Sequence, residues 1–216
     1  SFDEQRLGGS AFAQSLGKVG SDVPTVKEPQ YFCDCFDAIQ EMIRRGWILS
    51  GHDISAGGLI TTLLEMTFAN PNGGLRINLH DIKGDDTVKK LFAENPGVVI
   101  QVADEHAEEV KEFLTDNCIG FARIGTPTPD KRTLSVADGD WKQEFDIDSL
   151  RDTWYETSYL LDRKQSMNGM AKKRYQNYKK QPIELKFNAD FTGTLKQYAL
   201  NADRWKEASS DNNRPT

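Results

Sequence analysis

GHDISAGGL, at residues 51–59, is the stretch from which the architecture of this chain is read most directly. The apolar residues 47–49 before it indicate a short buried strand. The apolar positions of residues 59–68 after it indicate a helix that is too apolar to lie on a surface. The stretch is therefore predicted to be a tight turn from the end of a strand into the start of a buried helix.

The residue types in this turn suit a metal and a phosphate. Asp53 offers a hard oxygen ligand of the kind that magnesium takes beside nucleotide phosphates. Ser55 can cap the helix, and Gly57 and Gly58 let backbone N–H groups approach a ligand closely. The N-terminus of a helix favours an anion. The alternative is that Ser55 is only a helix cap and that the glycines only permit close packing.

Three further features could take part in chemistry. LGGS at residues 7–10 could form a second phosphate-contacting loop through Gly8, Gly9 and Ser10, or a simple turn. Glu94 could be a ligand, although a solvated carboxylate is the commoner role. His52, beside a turn, is more typical of a hydrogen-bonded structural histidine than of a base. No Ser-His-Asp or Cys-His arrangement can be built from the three histidines.

The remaining pattern alternates helices and strands, which predicts an α+β fold with a mixed β-sheet flanked by helices. In the helix at residues 30–45, Phe32, Phe36, Ile39 and Ile43 repeat at helical spacing and are expected to face inward. The further predicted helices are at 86–94, 104–117 and 149–165, with Asp104 as a helix cap. The predicted strands are at 75–79, 98–102 and 121–124, followed by a hairpin of 132–137 and 141–145.

Composition excludes several classes of protein. The 216 residues carry a net charge of −6, whereas nucleic-acid-binding domains are usually basic. No apolar run approaches the roughly 18 residues that span a bilayer, and the first residues do not resemble a signal peptide. The three cysteines have neither disulfide-framework nor zinc-site spacing. A cytoplasmic protein without nucleic-acid or membrane partners is expected.

The sequence changes character near residue 165. Residues 163–180 contain seven Lys or Arg and no Asp or Glu, which indicates a solvated face, a linker or a contact with RNA or an acidic partner. We expect three parts. These are an N-terminal loop segment at 1–30, a main domain at 31–165 and an extension at 166–216. Both ends read as boundaries within a longer protein.

Six motifs occur together in this order: LGGSAFAQ, FDAIQEMI, HDISAGGL, EMTFANPNGG, LFAENPGVVIQV and SLRDTWYETSYLLDR. Through them the chain resembles the last aminoimidazole-ribonucleotide-synthetase-like C-terminal domain of the large, single-chain formylglycinamide ribonucleotide amidotransferases (phosphoribosylformylglycinamidine synthases). The resemblance covers residues 5–165 and continues more weakly at 183–188. It implies the fold of that domain, followed by a helical or irregular extension toward a glutaminase domain.

The resemblance also implies a function. Enzymes of this family use ATP and glutamine to convert formylglycinamide ribonucleotide to formylglycinamidine ribonucleotide in purine biosynthesis. In them the Asp of HDxS binds Mg²⁺ and the Ser contacts a nucleotide, which map onto Asp53 and Ser55. Among the synthetase-like domains of the large enzyme, this one resembles the domain at which an ATP or ADP with a structural role is bound. Upstream synthetase-like domains and a downstream glutaminase domain of the same parent chain are the implied partners, and no catalytic residue is expected here.

One departure and two alternatives bear on this expectation. Family members often have an acidic residue before Gly57, where this chain has Ala56. Another ATP enzyme of the superfamily, of the selenophosphate synthetase, thiamine-monophosphate kinase or hydrogenase-maturation type, is one alternative. A non-catalytic binding or scaffold module is the other. As a fragment of the amidotransferase, the chain is expected to be inactive alone and to expose an apolar patch where another domain docks.

Overall fold

The computed structural model describes residues 4–180 and contains within them seven α-helices, one short 3-10 helix (Asp104–His106) and six strands. The helices are α1 (Ala11–Ser15), α2 (Pro29–Arg44), α3 (Gly58–Phe68), α4 (Thr87–Phe92), α5 (Ala107–Asp116), α6 (Ile147–Gln165) and α7 (Met170–Gln176). The strands are β1 (Ile48–Asp53), β2 (Gly74–Asn78), β3 (Val98–Val102), β4 (Gly125–Thr128), β5 (Thr133–Asp138) and β6 (Trp141–Asp146). The weaker continuation of the resemblance at 183–188 lies outside the described residues.

The strands form two sheets. β1 and β3 pair antiparallel, with Asp53 opposite Val98 at one end of the ladder. The other sheet has the order β4-β2-β5-β6, in which β2 and β5 are parallel and the other two pairs are antiparallel. The predicted α+β class with a mixed sheet and flanking helices is confirmed. The division into a two-stranded and a four-stranded sheet was not predicted.

The end of the four-stranded sheet both confirms and corrects the sequence-based predictions. The predicted hairpin is present, since β5 and β6 pair with Asp138 opposite Trp141 and a two-residue loop between them. The strand predicted at residues 121–124 is wrong, because the ladder with β2 is made by the next four residues, Gly125–Thr128. These form an edge strand. Pro127 is tolerated there because its nitrogen, which has no hydrogen to donate, faces away from the neighbouring strand.

The first hydrophobic cluster lies between α3 and the four-stranded sheet. Leu63, Leu134 and Val136 are at most 2% exposed, and Ile147 at the start of α6 is fully buried. Seven of the eleven residues of α3 are buried, which confirms the prediction of a helix too apolar for a surface. This cluster holds the start of α3, and therefore the turn before it, in a fixed position.

The second hydrophobic cluster packs α2 and α5 against the two-stranded sheet. Met42 and Ala38 of α2 are buried there with Val110 and Leu114 of α5. The prediction that Phe32, Phe36 and Ile43 face inward is wrong, because these side chains are 49%, 57% and 52% exposed. Only Ile39 of the predicted stripe packs against the cluster, which means that the buried face of α2 is rotated by about one residue.

The helix α7 packs on α6 through an arginine and several tyrosines. The guanidinium of Arg151, which is 6% exposed, lies over the rings of Tyr155 and Tyr178, and its Nη1 donates to the carbonyl oxygen of Tyr175. The basic run predicted near here is partly neutralised within the chain, since Arg174 pairs with Asp162 at 2.6 Å. The compact unit that contains these helices ends at Lys179, so the predicted boundary near residue 165 stays a prediction.

None of the helices in residues 4–180 combines the length and the apolar composition that are needed to cross a membrane. α6 is the longest of them, and its 19 residues include charged side chains throughout, for example Asp148, Arg151 and Asp162.

Candidate functional site

Asp53 ends β1 and stands at the entrance to the turn before α3. Its side chain is 74% exposed, so the carboxylate projects into solvent. Its backbone is fixed, because the carbonyl oxygen accepts a hydrogen bond from Thr62 Oγ1 of α3 at 3.0 Å and the residue pairs with Val98 of β3. The structure therefore presents one exposed carboxylate on a backbone that is anchored to both the sheet and the helix.

His52 links this strand end to α3 and α6. Its Nδ1 lies 2.7 Å from the carbonyl oxygen of Asp53, and its Nε2 lies 3.1 Å from the carboxylate of Glu65. The other oxygen of Glu65 accepts a hydrogen bond from Trp154 Nε1 at 2.8 Å. The prediction that His52 is a hydrogen-bonded structural residue is confirmed. Glu65 and Trp154 were not predicted to take part, since the fold and not the local sequence brings them to His52.

The turn between Asp53 and α3 differs from its predicted form at the helix cap. Ser55 is exposed and does not cap α3 with its side chain. Gly57, at φ 88°, holds the N-cap position instead. The predicted cap is wrong because the two left-handed glycines start the helix two residues later than a serine cap would allow. Ser55 and Asp53 are both exposed in this turn.

The backbone N–H groups of the two glycines are engaged within the chain. Gly57 N–H donates to the carboxylate of Glu94 at 2.8 Å, and Gly58 N–H donates to the carbonyl oxygen of Ser55 at 3.0 Å. Gly58 is buried against the end of α4, where an added Cβ would lie 2.7 Å from the carbonyl oxygen of Leu91. Close packing is thus one reason for glycine here, and the nucleotide contact of Gly57 and Gly58 stays a prediction.

The LGGS loop is also closed by internal hydrogen bonds. Gly8 N–H donates to the Asp22 carbonyl oxygen at 2.8 Å, and Gly9 N–H donates to the Val19 carbonyl oxygen at 2.7 Å. Ser10 is 1% exposed; its Oγ donates to the Leu7 carbonyl oxygen and accepts from Ala13 N–H, which caps α1. The role of this loop in contacting phosphate stays a prediction.

Glu94 connects the two loops. One of its carboxylate oxygens, Oε1, accepts a hydrogen bond from Ala11 N–H at 2.8 Å in addition to the one from Gly57 N–H. The sequence-based interpretation of Glu94 as a solvated carboxylate or ligand missed this function, because its partners are backbone groups that a sequence does not display. It brings the predicted LGGS loop to the predicted metal and nucleotide turn.

Among residues 4–180, no cluster of three or more His, Cys, Asp or Glu side chains is arranged to hold a metal ion. Mg²⁺ is usually bound by one or two carboxylates together with waters and substrate phosphates. The exposed carboxylate of Asp53 fits the part of a single ligand in a shared site, and the other ligands would come from a nucleotide or from another domain.

Comparisons with known proteins identify sequences related to this chain. Residues 2–137 match a protein family described as AIR synthase related protein, C-terminal domain. The chain is 34% identical over 164 residues to a probable phosphoribosylformylglycinamidine synthase, chloroplastic/mitochondrial, of Arabidopsis thaliana. It is also 34% identical over 166 residues to the phosphoribosylformylglycinamidine synthase of Homo sapiens. Each match covers 76% of this chain, and the chain spans only 12% of each relative.

Solved structures are similar in fold. PurL of T. maritima complexed with ATP matches with a TM-score of 0.50 and 16% identity, over 65% of this chain and 23% of that chain. PurLQS from Thermotoga maritima matches with a TM-score of 0.51 and 16% identity, over 65% of this chain and 24% of that chain. At this level of identity the likeness shows the fold alone.

Proposed function

Because the chain belongs to the family described as AIR synthase related protein, C-terminal domain, we propose that it is one domain of a phosphoribosylformylglycinamidine synthase. The parent enzyme would be an ATP-dependent C–N ligase that converts formylglycinamide ribonucleotide and glutamine to formylglycinamidine ribonucleotide in purine biosynthesis. The two relatives with 34% identity carry that name, and the chain corresponds to 12% of their length. Upstream synthetase-like domains and a downstream glutaminase domain of the same parent chain would supply the rest, in the cytoplasm.

Within that enzyme, we propose that this chain contributes half of a site for Mg²⁺ and a nucleotide. Asp53 would be the metal ligand and Ser55 would contact the nucleotide. The observation that carries this proposal is that both residues are exposed on one turn whose backbone is fixed by Thr62 and Glu94. A related fold, PurL of T. maritima, has been seen complexed with ATP, which supports a nucleotide as the ligand.

The proposed role of Asp53 is to bind and orient. When bound, Mg²⁺ would neutralise phosphate charge next to the turn. The rigid attachment of the Asp53 backbone to β3 and α3 would fix the position of the carboxylate before the ligand arrives, which lowers the entropy lost on binding. Since no group here is assigned a proton transfer or a nucleophilic attack, the chain alone is expected to be inactive.

The test compares the parent protein with its Asp53→Ala variant. Each protein is purified and denatured, and the released ATP or ADP is quantified together with magnesium. We expect the variant to lose about one tightly held nucleotide per chain and to unfold at a lower temperature, because a ligand that binds only the folded state stabilises it. Asp140→Ala removes another exposed carboxylate, in the β5–β6 loop, and serves as the matched control.

The other outcomes separate the alternatives. Unchanged nucleotide content with a collapse of synthetase turnover would move Asp53 from a structural site to the catalytic one. If neither property changes, the assignment of Asp53 fails. Turnover of formylglycinamide ribonucleotide by the purified 216 residues would contradict the proposal that the chain is inactive alone. A parent gene without synthetase or glutaminase domains would favour the scaffold alternative.

A further inference from the structure

Glu94 joins three segments that are distant in sequence. Its Oε1 accepts from Ala11 N–H, 83 residues away, and from Gly57 N–H, 37 residues away, both at 2.8 Å. Ala11 is the first residue of α1, and Gly57 is the N-cap of α3. One carboxylate oxygen therefore receives the N–H groups at the starts of two helices.

Other contacts hold the same three segments together. The rings of Phe12 and Phe92 stack with their centroids 4.5 Å apart. Asn95, which is 7% exposed, donates from Nδ2 to the carbonyl oxygen of Glu4 at 3.2 Å. We call this set of contacts among residues 4–12, 57–58 and 92–95 the Glu94 junction. It connects the LGGS loop to the turn that carries Asp53 and Ser55.

The charge of Glu94 gives the junction a particular consequence. Hydrogen bonds from backbone N–H groups to a carboxylate are charge-assisted and are stronger than bonds to a neutral acceptor. A negative group at the N-terminus of a helix is also favoured by the helix dipole. Glu94 thus occupies the position at the start of α3 that an anionic ligand would take. A phosphate that binds this turn meets an N–H group that already has a carboxylate partner.

We propose that Glu94 is a positioning residue that acts as a built-in anion. It holds the LGGS loop against the turn of Asp53 and Ser55. Because Glu94 accepts the hydrogen bond of Gly57 N–H, that group is not available to a ligand. A nucleotide is then contacted here by the side chain of Ser55 and, through the metal ion, by that of Asp53. This inference rests on the proposed function for the nucleotide, whereas the coupling of the two loops can be tested without it.

The test uses Glu94→Ala and Glu94→Gln in the parent protein. Glutamine keeps an acceptor oxygen and alanine removes it. Asp86→Ala is the matched control, because Asp86 also accepts from two backbone N–H groups at a helix N-terminus, those of Val88 and Lys89 at 2.9 and 3.2 Å. It lies at the start of α4 and outside the Glu94 junction. Amide hydrogen exchange of the peptides covering residues 7–12 and 53–60 is measured, together with nucleotide affinity.

We expect Glu94→Ala to speed exchange in both peptides together and to weaken nucleotide binding by about tenfold or more, as for groups that orient ligands. Glu94→Gln keeps an acceptor oxygen without the charge and should restore only part of both properties, whereas full restoration would overturn the role as an anion. Asp86→Ala should leave both unchanged. Faster exchange in one peptide only, or in neither, would overturn the coupling. Equal loss of nucleotide in Glu94→Ala and Asp86→Ala would show a general loss of stability and overturn the positioning role.

The wild-type parent protein could also be found to hold no nucleotide at all. That result would contradict the proposed function, and the positioning role would fall with it. The exchange data would still decide whether Glu94 couples the two loops, so the two failures can be told apart.

Discussion

At the scale of single residues, Gly58 shows the tightest constraint on the candidate site. Its φ is 71°, and an added Cβ would lie 2.7 Å from the carbonyl oxygen of Leu91 and from the backbone of Phe92. We expect Gly58→Ala to lower the free energy of unfolding by about 2–4 kcal/mol, through backbone strain and overlap with α4. Urea denaturation of the 216-residue chain measures this change.

Gly46 offers the control for that substitution. Its φ of 74° is nearly the same, but no atom lies within 4 Å of its added Cβ. Gly46→Ala should therefore cost only the strain of the left-handed backbone, about 1 kcal/mol. Equal effects of Gly58→Ala and Gly46→Ala would mean that α4 moves aside without any loss of stability. That result would contradict the close packing of α4 on Gly58.

Residue types at the site could be predicted from the sequence, but their hydrogen-bond partners could not. Asp53 lies at the end of a strand and before a buried helix, as GHDISAGGL indicates. The helix cap was wrong, since Ser55 cannot be distinguished from Gly57 as a cap without knowing where the backbone turns left-handed. Glu94 accepts hydrogen bonds from backbone N–H groups 83 and 37 residues away. Contacts between residues so far apart cannot be predicted from the local sequence pattern.

At the scale of secondary-structure elements, α2 shows why periodicity alone can mislead. Phe32, Phe36 and Ile43 form one stripe at helical spacing, and Tyr31, Cys35 and Met42 form another that is shifted by one residue. The second stripe is the one that packs in the second cluster. The larger aromatic residues are exposed, which agrees with the expected apolar patch, and their contact with another domain stays a proposal. The stripe of Phe32, Phe36 and Ile43 was predicted to be the buried one from its hydrophobicity. Hydrophobicity alone does not show which face of a helix packs against another element.

Asp148 of α6 binds Tyr178 and Lys179, which follow α7, and this leads to a prediction about pH. Burial raises the pKa of Asp148, but hydrogen bonds from Lys179, Tyr178 and Arg132 outweigh it and lower the pKa to about 2 from the ordinary 3.8. The folded chain then binds fewer protons than the unfolded one. Asp148 stabilises the fold above pH 3.8, and this contribution is lost as the pH falls toward 2.

We expect Asp148→Asn to lower the free energy of unfolding by about 1–2 kcal/mol at pH 7, a figure reduced for the partial exposure of this side chain. The difference between wild type and variant should shrink between pH 4 and pH 2. Urea denaturation at pH 7, 4 and 2.5 measures it. A difference that stays constant over this range would contradict the ionised carboxylate as the source of the stabilisation.

At the scale of the whole described unit, the apolar side chains form two separate clusters. Ile77 belongs to the first cluster, and Val110 belongs to the second. A cleft of about 1570 Å³ is lined by residues of both clusters. The effects of Ile77→Val and Val110→Ala on the free energy of unfolding should add to within about 0.5 kcal/mol, because the two residues share no cluster.

A pair within one cluster provides the comparison. Ile77 and Val136 lie opposite each other in the parallel ladder of β2 and β5. We expect Ile77→Val and Val136→Ala to deviate from additivity by about 0.5 kcal/mol or more, since the two side chains share neighbours. Double-mutant cycles measure both pairs. Similar coupling in the two pairs would indicate one continuous core.

Ala11 and Glu94 are 83 positions apart in the chain, which has a consequence for the order of events during synthesis. The LGGS segment leaves the ribosome long before the carboxylate that receives its N–H group has been translated. Translation proceeds at roughly 5–20 residues per second, so the LGGS segment remains without Glu94 for several seconds. The loop must also close over a long stretch of chain, which makes this contact a late step in folding. A nascent chain arrested before Glu94 should therefore leave residues 7–12 open to protease.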